Sequence, residues 1–138
     1  MSQSIMDAMP KLLIVDDDNL ILDCFHYAFP PDQVAVTTAT SVAEAMSLFR
    51  QHSFDAVVTD IRLTDSSGLQ LLQELQSLDG RIPVILMTGH GTAKTAIDAM
   101  RNGAIEYLLK PLDLDVLQAV INRAFEASRM ARTCQSLR

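Results

Sequence analysis

No apolar run in the 138 residues approaches the roughly 18 to 20 that a membrane-spanning helix needs. Residues 1–9, MSQSIMDAM, lack the basic start and apolar core of a secretory signal. They read as a flexible N-terminal tail on a soluble chain. Cysteine is scarce: Cys24 and Cys134 stand far apart and form no CxxC pair, which fits buried or incidental thiols in a reducing compartment, the cytoplasm. Positive charge is thin too. Eleven Lys and Arg against seventeen Asp and Glu leave a formal charge of -6, and no basic cluster is visible. Direct nucleic-acid binding by this domain is excluded on that ground, because phosphate backbones are held by grouped Lys and Arg.

What is present is apolar residues in quantity, 49% of the chain, enough for one domain with a real core and too few residues for two. Their period changes repeatedly. LLIV (12–15), VAV (34–36), AVVT (56–59), VILM (84–87) and AIEYLL (104–109) are short continuous runs, as in strands buried on both faces of a parallel sheet. Between them apolar residues recur at helical spacing. Leu20, Ile21, Cys24, Phe25 and Ala28 mark a first helix, stopped by Pro30 and Pro31. Ser41 and Glu44 form a capping box ahead of Val42, Ala45, Met46 and Phe49. Leu71, Leu72, Leu75 and Leu78 carry a third helix that ends at Asp79 and Gly80. Ala93, Ala96, Ile97 and Met100 carry a fourth, closed by Asn102 and Gly103. Asp113 caps a fifth, with Val116, Leu117, Val120, Ile121, Ala124 and Phe125 facing inward. Five βα units are too few for a closed eightfold barrel, so the expected fold is α/β, a flavodoxin-like (βα)5 doubly wound parallel sheet with strand order 2-1-3-4-5.

In such a sheet, chemistry collects beyond the carboxyl ends of the strands. Strand one delivers Asp16, Asp17 and Asp18 there, strand three Asp60, strand four Thr88 and strand five Lys110. Each has a plain structural reading: Asp18 as a helix cap, Asp60 as a turn residue, Thr88 as a strand-end hydroxyl, Lys110 as a solvated terminus. Together they make a different case. Carboxylates, a hydroxyl and an ammonium at one rim are what phosphoryl transfer requires, and carboxylates without His or Cys suit a hard cation such as Mg²⁺. That cation offsets the repulsion among neighbouring carboxylates.

With those motifs in order and GAIEYLLKP at strand five, the sequence resembles the receiver domain of two-component response regulators from about Lys11 to Ala127. The resemblance implies a receiver domain over residues 10–127 and a C-terminal helical extension or linker start over 128–138. It implies Asp60 as the phospho-acceptor, Thr88 and Lys110 as the groups that bind the phosphoryl, and Thr88 and Tyr107 as the switch pair. Mg²⁺ would be held by Asp17, Asp60 and the backbone carbonyl of Arg62, with Asp16 acting through water. The Lys110–Pro111 bond is often cis in the family, Gly68 matches the glycine after the acceptor, and Gly89 matches the small residue after the hydroxyl. Thr64 departs from the family, which often has proline there. Arg62 and His90 occupy positions that tune phosphoryl lifetime in the family.

The implied partners are a histidine kinase or phosphotransfer protein and an output domain outside this sequence. A homodimer through helix four, strand five and helix five or through the C-terminal helix is also implied. Lys94, Asp98 and Arg101 are the expected exposed residues of helix four. Ala127, Met130, Cys134 and Leu137 trace a short heptad pattern, and the stretch TGHGTAKTAIDAMRNGAIEYLLKP resembles receivers that precede the ATPase of enhancer-binding transcription activators. Two other readings stay open. A haloacid-dehalogenase-type aspartyl-phosphate phosphatase also shows D-x-D after its first strand, which Asp16 and Asp18 satisfy, although it needs a further acidic pair after its lysine. A flavin module shares the fold, but no glycine-rich or hydroxyl-rich phosphate loop follows strand one.

Overall fold

In the computed structural model, which describes residues 9–63 and 65–136, apolar strands alternate with helices throughout. The elements are β1 (Lys11–Val15), α1 (Asn19–Ala28), β2 (Ala35–Ala39), α2 (Val42–Gln51), β3 (Ala56–Asp60), α3 (Gly68–Leu78), β4 (Val84–Thr88), α4 (Ala93–Arg101), β5 (Glu106–Leu109) and α5 (Leu114–Ser136). All strand pairings are parallel, in the order β2-β1-β3-β4-β5. The expected doubly wound sheet is the observed one.

Strand side chains alternate between faces. Leu12, Ile14, Ala56, Val58, Ile85 and Met87 therefore join Ile21, Leu22 and Phe25 of α1 and Leu117, Val120 and Ile121 of α5 in one core. Leu13, Val15, Val57, Val84 and Leu86 join α2, α3 and Ala99 of α4 in the other. This is why the central strands read as unbroken apolar runs: both their faces are covered. Each fully buried Leu or Ile contributes about 1.5–3 kcal/mol relative to exposure.

Local signals set the element ends. The Asp18 carboxylate accepts from the Leu20 N–H at 2.9 Å and starts α1, and Asp113 accepts from the Asp115 and Val116 N–H groups at the start of α5. Gly103 follows α4 with φ 101°, in the left-handed region where glycine is favoured. The Lys110–Pro111 bond is cis.

Several expectations shift. VAV (34–36) marks only part of β2, which runs to Ala39 because Thr37 and Thr38 suit a half-buried edge strand. Strand five begins at Glu106 rather than Ala104. The capping box at α2 is split: Ser41 Oγ accepts from the Glu44 N–H, but the Glu44 carboxylate accepts from Thr40 N–H rather than from Ser41.

Apolar spacing also overstated the inward faces. Leu20 is 73% exposed, and Ile97 (52%), Met100 (48%) and Val116 (48%) also lie largely in solvent, so of α4 only Ala99 is buried. Asp98, expected to be exposed, is half-buried, its backbone carbonyl held by Asn102. Helix α5 continues without a break to Ser136. Along the heptad trace Ala127 and Met130 are exposed; the side chain of Cys134, Leu137, Thr64 and tail residues 1–8 lie outside the described residues. Among the described residues no helix is long and apolar enough to cross a membrane.

Candidate functional site

The residue after β1 is Asp16. Its N–H bonds to Ala39 O at 3.0 Å, which extends the ladder and draws the carboxylate fully out of solvent. Both oxygens are then satisfied, Oδ1 by the Asp18 N–H at 2.9 Å and Oδ2 by Lys110 Nζ at 2.7 Å. Asp60 ends the neighbouring strand β3 and is 8% exposed. Its Oδ1 accepts from the Arg62 N–H at 3.2 Å and its Oδ2 from Lys110 Nζ at 2.9 Å. Lys110 follows β5, anchored by its N–H to Thr88 O at 2.8 Å, and its side chain crosses the end of β4 to reach both acids.

One ammonium thus serves two buried carboxylates, while Asp17 adds a third. Asp16, Asp17 and Asp60 offer oxygens that all lie within 4.8 Å of one another. Burial pushes the Asp16 carboxyl above its usual range, and the Lys110 bond and Asp18 N–H offset this only in part. For Lys110 burial pulls downward, but the bonds to Asp16 and Asp60 together outweigh it and hold the ammonium above 10.5. The cluster keeps an excess of negative charge. Its donors are all oxygen, close together and partly open through Asp17, so the residues present fit a hard divalent cation.

Thr88 closes β4 and is 4% exposed; its Oγ1 accepts from the His90 N–H at 3.1 Å. Asp60 pairs in register with Met87, so Thr88 stands one residue further along the adjacent strand. Tyr107 of β5 is half-buried, its hydroxyl 2.8 Å from Thr95 Oγ1 on α4. Arg62 and His90 side chains are exposed at the rim. Two glycines shape the site. A Cβ at Gly68 falls inside contact distance of the Asp60 carbonyl oxygen and 3.0 Å from its carbon, so only glycine lets α3 start this close to the end of β3. At Gly89 a Cβ meets nothing within 4 Å, which leaves open space beside Thr88.

The structure therefore gathers Asp16, Asp17, Asp60 and Lys110 into one cluster, with Thr88 beside it and Tyr107 one strand further out. Two residues escaped the sequence reading. Thr95 forms a capping box with Thr92 and also holds Tyr107; the box was visible as T-x-x-T, the contact to Tyr107 was not. Asp65 accepts from the Val42 and Ala43 N–H groups at 3.0 and 3.1 Å, a contact 23 residues away that no local pattern announces.

Residues 12–122 match the model of the response regulator receiver domain. The chain belongs to that family. As a receiver it is similar to regulatory protein AtoC of Escherichia coli, 35% identical over 96% of this chain and 29% of that protein. It is also similar to transcriptional regulatory protein ZraR of the same organism, 35% identical over 82% of this chain and 26% of ZraR. The chain spans about three tenths of the length of these curated relatives. A receiver domain from Clostridium thermocellum superposes with a TM-score of 0.82 at 34% identity, covering 89% of this chain and 99% of that one. NtrX from Brucella abortus gives 0.86 at 32% identity over 94% of this chain and 30% of its own. The phosphatase reading finds no support: after Lys110 the receiver enters α5, and no later strand follows among the described residues.

Proposed function

We propose that Asp60 is the phospho-acceptor of this receiver, taking a phosphoryl group from a histidine kinase or phosphotransfer protein. The observation that carries the reading is the Lys110 ammonium, 2.9 Å from Asp60 Oδ2 and anchored by Asp16 at 2.7 Å. An Asp60 oxygen attacks phosphorus, the new O–P bond forms as the donor's N–P bond breaks, and the electron pair of that bond returns to the donor imidazole. Lys110 stays tethered to Asp16 and pairs with the phosphoryl oxygens, while the Thr88 hydroxyl, accepting from His90 N–H, turns its proton toward them. Asp17, Asp60 and the Arg62 carbonyl would hold Mg²⁺, with Asp16, which offers an oxygen within 4.8 Å of those of Asp17 and Asp60, reaching it through water. When bound, Mg²⁺ neutralises charge on the transferring oxygens.

The added charge favours the arrangement in which Thr88 and Lys110 lean toward it, and Tyr107 follows into the vacated space. That motion breaks the bond from Tyr107 to Thr95, so the start of α4 responds as well. Ile97 and Met100 of α4, Leu109 of β5 and Val116 of α5 form the exposed apolar face that changes, and it serves an output domain or a second copy of the chain. The length and names of the curated relatives support transcriptional control as the output, with the extension of α5 beyond Ala127 leading toward that domain, and we place this function in the cytoplasm. Incubation with Mg²⁺ and a small-molecule phosphodonor tests the reading: one phosphoryl group should appear by intact mass, be removed by hydroxylamine and be absent in Asp60→Asn. Labelling of Asp60→Asn at the wild-type level would overturn it.

A further inference from the structure

The first turn of α2 has three backbone donors without a helical partner, those of Val42, Ala43 and Glu44. Glu44 N–H goes to Ser41 Oγ at 3.1 Å, within the same segment. The other two go to a single side chain from elsewhere: Asp65 Oδ1 takes Val42 N–H at 3.0 Å and Oδ2 takes Ala43 N–H at 3.1 Å. Asp65 sits at the tip of the loop that joins Asp60 to α3. That loop is a miniature hairpin, tied by Gly68 N–H to Ile61 O at 2.8 Å, by Leu63 N–H to Ser66 O at 3.1 Å and by the bridge between Arg62 and Ser67. On its ascending limb Arg62 N–H holds Asp60 Oδ1 at 3.2 Å.

We propose that Asp65 is a positioning residue of the phospho-acceptor site: its bidentate grip on the start of α2 fixes the β3–α3 loop, and with it the backbone of Arg62 beside Asp60, in the posture that holds a divalent cation. The inference rests on the assignment of Asp60 and the Arg62 carbonyl as cation ligands. The grip is charge-assisted and lies at a helix N-terminus, where a carboxylate is favoured. The two backbone N–H groups accordingly hold the Asp65 carboxyl below 3.8. Asp65 is exposed and both its carboxylate oxygens bond to α2, so α2 is the fixed point against which the loop is held. Releasing it leaves Asp60 on its strand and Lys110 in place, while the Arg62 backbone gains freedom.

Ser41 supplies the matched control. It caps the same helix turn yet contacts no residue of the loop in the hydrogen-bond network described. Mg²⁺ affinity of the unphosphorylated protein is measured by calorimetry for wild type, Asp65→Asn, Asp65→Ala and Ser41→Ala, together with the Mg²⁺ dependence of self-labelling by a small phosphodonor. Thermal unfolding of each variant establishes that it is folded at the assay temperature. Loss of a group bonded directly to a metal ligand typically weakens a metal site by about 10–100-fold, and Asp65 acts one step further out, so the low end of that range applies. Both Asp65 variants should therefore need about tenfold more Mg²⁺ for half-saturation, in binding and in labelling, with the labelling rate at saturating Mg²⁺ retained. Ser41→Ala should leave the half-saturation point unchanged. Wild-type Mg²⁺ affinity in Asp65→Asn, or an equal loss in Ser41→Ala, overturns the inference while Mg²⁺-dependent labelling on Asp60 still stands. Failure of the wild type to bind Mg²⁺ at all overturns both.

Discussion

Gly68→Ala sets two physical effects against each other, and the structure decides the sign. Gly68 is the first residue of α3, following the Ser67 cap, and alanine there reduces the freedom of the unfolded chain and favours helix by about 0.5–1 kcal/mol. Against this, the new Cβ enters contact range of the Asp60 carbonyl oxygen and lies 3.0 Å from Asp60 C and 3.1 Å from Ile61 Cα. All three are backbone atoms at the end of β3, which is paired on both sides by β1 and β4, so no side chain can swing away to relieve the contact. Overpacking of this kind costs about 1–3 kcal/mol. The net expectation is a loss of about 1–2 kcal/mol, or a fall in Tm of about 3–10 °C for a domain of this size. Gly80→Ala is the reference, since its Cβ meets only Gln76 O at 3.7 Å and its φ lies outside the left-handed region. Compatible replacement of that kind stabilises by about 0.4–1 kcal/mol. Circular dichroism at increasing temperature measures both. A Gly68→Ala protein as stable as Gly80→Ala would refute the claim that α3 is pressed against the end of β3.

Two further outcomes concern the Tyr107–Thr95 contact and the carboxylate cluster. Thr95 and Tyr107 share a 2.8 Å hydroxyl contact, so unfolding energies of Thr95→Val, Tyr107→Phe and the double variant should be non-additive by about 0.5–1.5 kcal/mol; strict additivity would mean that the bond contributes nothing. The folded-state pKa of Lys110 is raised above 10.5. Its contribution to stability is therefore complete below the unfolded value and is lost as pH rises through the folded one. Urea titrations between neutral pH and the Lys110 range should show that loss in wild type and not in Lys110→Met, and parallel profiles would contradict the pairing.

The fold was legible because the strands are covered on both faces, which turns topology into unbroken runs such as LLIV and VILM. The site was legible in outline for a related reason: a parallel sheet delivers Asp16, Asp60, Thr88 and Lys110 to one rim whatever the loops do. Helix faces were read less well. Leu20, Ile97, Met100 and Val116 sit at helical spacing with core residues, yet they lie at the edge of the buried stripe or beyond it, and spacing alone does not say where a stripe ends. In α4 the consequence is large, since its apolar residues form an exposed face and its packing rests on Ala99. Asp65 could not be read at all. Its partners on α2 are identified by backbone proximity across a loop, and an aspartate followed by two serines is an ordinary turn in sequence.

The central claim is that Asp60, and none of the three aspartates after β1, carries the phosphoryl group. Borohydride reduces an aspartyl phosphate to homoserine and leaves free carboxylates intact, so peptide mass spectrometry after labelling with Mg²⁺ and a small phosphodonor reads the position directly. Homoserine at position 60 alone is the predicted result. Homoserine at position 16, 17 or 18, or a labelled protein that yields none, would contradict the account.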